Sequence, residues 1–435
     1  MTQTDTTVSI SEALGQLMPA GVPFHFTAYD GSSTGPENAR IGLELLNKRG
    51  LSYLLTAPGD LGFACAYVAG DLALHGMHEG NPYEAMVLLM SQLQLKMPTP
   101  PEALRLLRSI GFGHLKPPPP PPEEHLPKWR RALESMRHSK NRDAWAIQHH
   151  YDVSKRFYEL VLGPSMTYTC ALYPTQETTL EEAQFAKYDL IAKKLDLRPG
   201  QRLLDIGCGW GGMVLHAARE YGIKALGDTL SREQSDWATE AIKRERLDHL
   251  AEVRFMDYRD VTESDFDAIS SIGMAEHIGV RNYPAYFRFM HDHMRTGGRV
   301  LNHCITRPHN NTTHTGAFID RYVFPDGEPT GVGRIVSDMQ DQCLEVRHVE
   351  NLREHYTTTL KGWSENFAEH CDEALRKVSL GRARVWGIYM AGSRLAFERN
   401  EIQLHHVLGV KPGSSAGGAG SDGVASFPLR PTWVS

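Results

Sequence analysis

The stretch "LLDIGCGWGG", Leu203 to Gly212, places four glycines within the seven residues that follow Asp205. Glycine-rich turns between a strand and a helix either cradle a phosphate group or let the backbone approach a ligand that has no phosphate. A P-loop carries Lys followed by Ser or Thr after its glycines, and this stretch has neither. The carboxylate of Asp205, at the end of an apolar run, instead favours a ligand with positive charge.

Strand-like and helix-like segments alternate around this turn. This alternation predicts a doubly wound α/β fold, a mainly parallel sheet with helices on both faces, whose ligand lies at the carboxyl ends of the strands. The segments are "RLLDIG", "GMVLHAAREYG", "KALGDTLS", "SREQSDWATEAIKRERL", "AEVRFMDYRD" and "FDAISSIGM".

Three acids follow successive predicted strands, and with the glycine turn they make the sequence resemble the class I S-adenosylmethionine-dependent methyltransferases. The resemblance implies that Asp205 anchors the amino-acid end of the cofactor, Asp228 the ribose hydroxyls and Asp257 the adenine amino group. The alternative is an ordinary glycine turn with capping aspartates. The expected cofactor-binding residues are Tyr168, Thr169, Asp205, Gly207, Gly209, Gly211, Asp228, Thr229, Gln234, Asp257 and Tyr258.

Four further stretches, together with "RARVWGIYMAGSRLAFERNEIQLHHVL", resemble the cyclopropane fatty acid synthase family. They are Phe157–Tyr173, Ser271–Gly279, Leu301–Pro308 and Glu350–Trp363, and the resemblance extends from the N-terminal unit to about Leu408. It implies a bicarbonate ion beside the cofactor sulfonium. The residues expected to hold this ion are Cys170, Glu276, His303, Ile305 and Tyr356.

The chemistry of that family requires a closed site. An isolated alkene that attacks a sulfonium methyl leaves a carbocation, which water would trap, so apolar and aromatic walls are expected. The bound anion would accept the final proton while Glu276 orients it. Each residue also has a structural interpretation: His303 as a core histidine, Cys170 as a buried apolar group, Glu276 as a helix cap. The expected aromatic wall is Tyr168, Phe318, Tyr322, Phe324 and Trp363.

Two positions depart from most cyclopropane synthases. Asp228 stands where a small or apolar residue is usual, and Ala275 stands where a bulky aromatic is usual. With the C-terminal "PLRPTW", they make the chain resemble the actinobacterial branch that forms methylene precursors of 10-methyl fatty acids, which a separate reductase completes. Both a cyclopropane and a methylene product therefore stay open.

Length and composition define a globular protein of more than one domain, since 435 residues with 41% hydrophobic content can bury a large core. The proline run "KPPPPPPEE" separates two folded parts. We expect an N-terminal α+β domain at 1–115 for lipid handling or dimerisation, a linker at 116–127, the methyltransferase domain at 128–410 and a flexible Gly/Ser-rich tail at 411–435.

The expected partner is an unsaturated phospholipid at a membrane surface. The net charge of −6 argues against a nucleic-acid partner, and six cysteines without metal-ligand spacing indicate a reducing compartment and no metal site. No signal peptide or spanning run is recognisable, so we expect a cytoplasmic protein that binds the inner membrane peripherally, as a monomer or homodimer. The basic amphipathic stretch His125–Arg142 would contact anionic headgroups, or else be a solvated helix face.

Two other functions remain open at this point. A methyltransferase of a small amine or phenol would use the same cofactor fold without a bound anion or a membrane surface. A lipid-binding protein could retain the fold without turnover.

Overall fold

The structure is a computed structural model that describes residues 8–92, 96–124, 154–310, 315–413 and 427–434. Internal contacts divide the chain into two units, and neither is continuous in sequence. The sequence-based division keeps 128–410 together, whereas the contacts assign 316–323 and 364–395 to the first unit. These later segments supply buried partners there: Arg384 donates to the Tyr67 carbonyl at 2.9 Å, and the Tyr322 hydroxyl lies 3.2 Å from the Cys65 thiol. The first unit consists of Met1–Pro127, Gly316–Val323 and Ser364–Leu395. The second unit consists of Lys128–Thr315, Phe324–Trp363 and Ala396–Ser435.

The first unit is an α+β structure around a four-stranded sheet of order β2-β1-β3-β4, in which only the β1–β3 pair is parallel. Its strands are β1 (His25–Ala28), β2 (Ser33–Thr34), β3 (Gly42–Leu45) and β4 (Leu72–His75). Its early helices are α1 (Ile10–Leu17), α2 (Lys48–Thr56), α3 (Asp60–Val68), α4 (Tyr83–Gln92) and α5 (Pro100–Ile110).

The second unit contains a seven-stranded sheet of order β10-β11-β9-β8-β5-β6-β7. Strands β5 to β9 run parallel, and β11 is antiparallel to both of its neighbours. The strands are β5 (Arg202–Ile206), β6 (Lys224–Thr229), β7 (Ala251–Phe255), β8 (Phe266–Ile272), β9 (Met294–Thr306), β10 (Glu345–Asn351) and β11 (Gln403–Val410).

Helices cover both faces of this sheet, which confirms the predicted doubly wound α/β fold. One apolar core includes Ile191, Val214 and Ala238, and the other includes Tyr286 and Met339. The remaining helices, numbered along the chain, are α6 (Lys155–Leu162), α7 (Leu180–Leu195), α8 (Gly212–Tyr221), α9 (Arg232–Arg244), α10 (Ala275–Ile278), α11 (Tyr283–His293), α12 (Ala317–Tyr322), α13 (Val332–Asp341), α14 (Arg353–Glu369), α15 (Cys371–Ala374) and α16 (Leu380–Glu398).

Among the described residues, no helix is long and apolar enough to cross a membrane. The proline run is described up to Glu124, and the Tyr53 hydroxyl donates a hydrogen bond to the carbonyl of Pro119 within the first unit. The basic stretch His125–Arg142 lies outside the described residues.

The expectation of a flexible tail through residue 435 is wrong for 427–434. The Phe427 and Trp433 rings lie 6.0 Å apart and pack against the core beside α7 and α8. The guanidinium groups of Arg299 and Arg347 lie 5.0 and 4.5 Å from the Phe427 ring centroid. Apolar contact and cation–π attraction hold this segment, while the Gly/Ser-rich residues 414–426 are outside the described part of the chain.

We expect Phe427→Ala to lower the free energy of unfolding by about 1–2 kcal/mol, because it removes a half-buried ring and two cation–π contacts. Urea unfolding of the full chain measures this. Leu429→Ala is the matched control, since Leu429 lies in the same segment and is fully exposed. Equal midpoints for both variants would contradict the docked position of residue 427.

Candidate active site

The glycine turn joins the end of β5 to the start of α8 at the carboxyl edge of the parallel strands. Gly207 has a φ of +67°, and a Cβ there would lie 2.9 Å from the Met274 sulfur. A Cβ at Gly212 would lie 2.1 Å from the Tyr188 hydroxyl. Both positions therefore need glycine, the first for its backbone conformation and the second for the close approach of α7.

A cavity opens at this turn. Its wall contains some of the residues that the sequence predicts to bind the cofactor. It also contains residues that the sequence analysis did not single out, among them Tyr188, Cys208, Trp210, Ile272 and Gly273. The predicted residues in the wall are Tyr168, Thr169, Asp205, Gly207, Gly209 and Gln234.

Asp205 is buried in the wall, where the Ser270 hydroxyl donates to its Oδ1 atom at 2.6 Å. Burial raises the pKa of Asp205 to about 7, although the Ser270 hydrogen bond and the charge of Lys187 oppose the shift. A cation bound in the cavity would stabilise the carboxylate form. This arrangement fits the cationic ligand that the sequence predicts.

Asp228 holds the glycine turn to the end of β6. Its Oδ2 atom accepts from the Gly207 amide at 3.3 Å, and its carbonyl accepts from the Cys208 amide at 2.7 Å. Its Oδ1 atom is buried and has no hydrogen-bond partner among the described residues. Burial raises the pKa of Asp228 well above its usual value, and the charges of Asp205 and Asp257 add to the shift. Asp228 therefore uses Oδ2 to hold the glycine turn, and Oδ1 is the atom that remains for a ligand hydroxyl.

The Asp257 carboxylate is paired with Arg259, which donates to it from Nε at 2.7 Å and from Nη2 at 2.5 Å. The Thr229 hydroxyl donates to Gln234 Oε1 at 2.7 Å, which orients the Gln234 amide in the cavity wall. Tyr258 packs in the apolar core. The predicted residues outside the cavity wall are Gly211, Asp228, Thr229, Asp257 and Tyr258.

Lys187 on α7 is a site residue that sequence reasoning missed. It is completely buried, donates to the Thr169 hydroxyl at 3.2 Å, and lies 3.4 Å from the Tyr188 ring centroid. Burial lowers its pKa well below the usual value, while the charges of Cys170 and Asp205 oppose the shift. A signal was present: Ala183, Lys187 and Ile191 are spaced four apart on the buried face of the helix.

Glu276 and Ile305 are brought together, as the family resemblance implies. The Ile305 amide donates to Glu276 Oε1 at 3.3 Å, and burial raises the pKa of Glu276 to about 7. Glu276 Oε2 is buried without a hydrogen-bond partner in the described part of the chain.

His303 lies on β9, two residues before Ile305 and therefore on the same face. Its carbonyl accepts from the Gly273 amide at 2.7 Å, and Gly273 lines the cavity. Its Nδ1 atom lies 2.8 Å from His406 Nε2, while its Nε2 atom has no partner within the described residues. Burial lowers the pKa of His303 well below the usual value, so its imidazole is neutral at neutral pH.

Cys170 and Tyr356 meet at the carbonyl of Leu352, which lies 3.8 Å from the Cys170 sulfur and accepts from the Tyr356 amide at 3.3 Å. Burial raises the pKa of the Cys170 thiol, so it remains protonated. The contacts thus join Glu276 to Ile305, bring Cys170 and the Tyr356 backbone to the same Leu352 carbonyl, and place His303 beside the cavity wall.

The predicted aromatic wall divides between the two units. Tyr168 lies 5.3 Å from the Trp363 ring and 6.2 Å from the Phe324 ring, and all three belong to the second unit. Phe318 and Tyr322 stack on each other at 5.4 Å in the first unit. Of the predicted wall residues, Phe324 and Trp363 therefore contact the cavity residue Tyr168, and the ring of Tyr158, which was not predicted, also lies 6.1 Å from it.

A seven-stranded sheet with one antiparallel strand, a glycine turn after the first parallel strand and a buried acid at its end define the class of S-adenosylmethionine-dependent methyltransferases. Among solved structures, a mycolic acid cyclopropane synthase in complex with SAH and CTAB has a TM-score of 0.59 and 30% sequence identity, covering 62% of this chain and 98% of that one. The mycolic acid cyclopropane synthetase family model matches residues 138–407. The chain belongs to this family.

Two relatives support the assignment. A probable fatty acid methyltransferase of Mycobacterium tuberculosis is 55% identical over 412 residues, 94% of this chain and 95% of that protein. The cyclopropane-fatty-acyl-phospholipid synthase of Escherichia coli K12 is 35% identical over 271 residues, 62% of this chain and 69% of that protein. The predicted family is confirmed, and the chain is an S-adenosylmethionine-dependent methyltransferase of this family.

We expect affinity for S-adenosylmethionine to rise with pH between 6 and 8. Below its pKa of about 7, Asp205 must lose a proton before it can pair with a cation, so the dissociation constant should fall up to about tenfold per pH unit and then level off. Calorimetric titration at three pH values measures this.

Asp205→Asn should weaken the binding of S-adenosylmethionine and abolish the change of its dissociation constant with pH. Glu276→Gln is the control that should retain the slope, because Glu276 also titrates near pH 7. Ser270→Ala should move the midpoint to higher pH, since it removes a hydrogen bond that favours the carboxylate. A flat wild-type profile would exclude Asp205 as the titrating group.

Proposed function

We propose that this enzyme methylates the double bond of an unsaturated acyl chain carried by a membrane phospholipid, and that a buried bicarbonate ion assists the loss of the final proton. The observation that carries the proposal is the pair of buried polar atoms Glu276 Oε2 and His303 Nε2, for which the described residues provide no partner. Buried polar atoms are seldom left unsatisfied, and the partner that we propose for these two is a small anion.

The ionisation states of the surrounding residues fit such an anion. With a pKa of about 7, Glu276 can retain its proton and donate from Oε2 instead of repelling a second negative charge. Cys170 remains a neutral thiol, and the Ile305 amide holds Glu276 in place through its hydrogen bond to Oε1. The proposed ligands are Cys170, Glu276, His303, Ile305 and Tyr356.

S-adenosylmethionine, held at its amino-acid end by Asp205, would supply an electrophilic methyl group, and bicarbonate, held by the five proposed ligands, would supply an oxygen base. The π electrons of the substrate alkene would bond to that methyl group, the sulfur would keep the electron pair of the broken bond, and positive charge would develop on the neighbouring alkene carbon. Tyr168, Phe324 and Trp363 would exclude water and present their ring faces to that charge.

The product depends on which proton leaves. Loss from the transferred methyl group closes a cyclopropane ring, and loss after a hydride shift leaves a methylene branch that a separate reductase would have to reduce. Ala275, where an aromatic is usual, is completely buried in the core. The two products remain alternatives that only analysis of the lipid distinguishes.

The substrate reaches the enzyme from a lipid surface on this proposal. The stretch His125–Arg142 holds six Lys or Arg residues against one Glu, with apolar residues between them. Such a composition favours binding to anionic headgroups. We propose that the enzyme acts at the inner membrane surface, as a monomer or a homodimer.

Incubating the purified protein with S-adenosylmethionine and vesicles of mono-unsaturated phospholipid should consume the double bond. Proton NMR of the extracted lipid tests this, because the two products are isomers that mass alone does not separate. Upfield ring protons identify a cyclopropane and vinylidene protons a methylene branch. An unchanged lipid would refute the proposal and favour a small acceptor or a lipid-binding protein.

Glu276→Gln should reduce turnover by roughly 10²-fold or more, because the amide cannot adjust its proton to suit a bound anion. Binding of S-adenosylmethionine should be nearly unchanged, which excludes a folding defect. The matched control is Glu354→Gln, the same change at an exposed side chain.

Removing bicarbonate from the buffer should abolish turnover by the wild type. It should lower the remaining turnover of Glu276→Gln only slightly. Near-normal turnover of Glu276→Gln would remove this residue from the mechanism.

A further inference from the structure

Three polar side chains form a row across the antiparallel edge of the large sheet. Glu350 on β10 pairs in register with His406 on β11, and His406 pairs with His303 on β9. His303 pairs in turn with Ile272 on β8, which lines the cofactor cavity. Residues directly opposite each other on neighbouring strands share one face of the sheet, so the row leads from a partly exposed carboxylate to the cavity wall.

Lys194 on α7 completes this row. It is completely buried, its Nζ atom lies 3.0 Å from His406 Nδ1, and it forms an ion pair with Glu350. The opposite nitrogen of the same imidazole, His406 Nε2, lies 2.8 Å from His303 Nδ1. The four side chains are therefore linked end to end by hydrogen bonds.

We propose that Lys194 and His406 are positioning residues that fix the tautomer of His303, so that its Nε2 atom carries the hydrogen and donates into the active site. The proposal rests on the proposed function, in which His303 holds a small anion.

The direction of the bonds follows from the chemistry of the groups. An ammonium group only donates, so His406 Nδ1 must accept from Lys194. A neutral imidazole has one N–H, which His406 must then carry on Nε2 and donate to His303 Nδ1. His303 accepts on Nδ1, which leaves its hydrogen on Nε2, the atom without a partner among the described residues. The charge on one lysine thus determines the donor at the far end of the row.

The electrostatic setting supports each step. Burial lowers the pKa of both His303 and His406 well below the usual value, and the nearby lysine charges add to the shift, so both rings are neutral. Burial also lowers the pKa of Lys194, but the Glu350 carboxylate opposes this and favours the ammonium form.

The first test is the protonation of His303 read by ¹⁵N NMR of histidine-labelled full-length protein, with His303→Gln used to assign its signals. In the wild type, Nε2 should be protonated and Nδ1 should not. Lys194→Met should mix the two tautomers, because the pair of histidines can then also donate in the opposite direction. Lys193→Met is the matched control, since Lys193 is exposed on the same helix and pairs only with Asp189 among the ion pairs of the described residues.

The second test uses His406, which also covers the case in which Lys194→Met does not fold. Gln can accept from Lys194 through its carbonyl and donate to His303 through its amide, so His406→Gln should retain the wild-type tautomer and most of the turnover. His406→Leu can do neither, and it should lose the fixed tautomer together with on the order of 10²-fold in turnover. His405→Gln, at the next position along β11, is the control.

The outcomes separate this inference from the proposed function. A His303 ring protonated on Nδ1 in the wild type, or one unchanged in both Lys194→Met and His406→Leu, would overturn the inference. A tautomer that changes as expected while turnover stays at the wild-type level would support the inference and refute the role of His303 in the reaction.

Discussion

Desolvation of charged side chains on one face of the large sheet is the constraint on which the site depends. Lys187 and Lys194 lie one above the other on α7 and are both completely buried. An ammonium group cannot be buried without partners, so each must find them within the second unit. Lys187 contacts the Thr169 hydroxyl and acts electrostatically on Asp205, and Lys194 contacts Glu350 and His406. The same helix thereby orders both the cofactor side and the histidine side of the site.

The sequence was sufficient for those features that depend on local pattern. Apolar runs that end in acids mark β5, β6 and β7, and the glycines of residues 207–212 mark the turn, because strand period and backbone freedom are readable from neighbouring residues. Asp205, which ends the first of these runs, lines the cavity. The contact between Glu276 and Ile305 came from family resemblance, since no local pattern brings residues that far apart in the chain together.

Other features depend on contacts that a linear reading does not contain. A lysine is normally assigned to solvent, so Lys187 and Lys194 were missed although their helical spacing points inward. His406 becomes important only through the register of β11 against β9. The pairing of Asp257, the residue expected near the adenine amino group, with Arg259 was likewise not predicted. Phe427 looked like part of a mobile tail, because two arginines from distant strands are needed to hold it.

Burial also reconciles a cationic cofactor with a reaction that must exclude water. A dry site disfavours charge of either sign, which is why the pKa values of Asp205, Asp228 and Glu276 are all raised. These carboxyls can therefore hold protons while the cavity lacks a cation, and a cation that enters can displace the proton from Asp205. The site then gains one positive charge and releases another, so its net charge changes little. The proposed reaction needs this balance, because a site that admits a sulfonium must still exclude the water that would trap a carbocation.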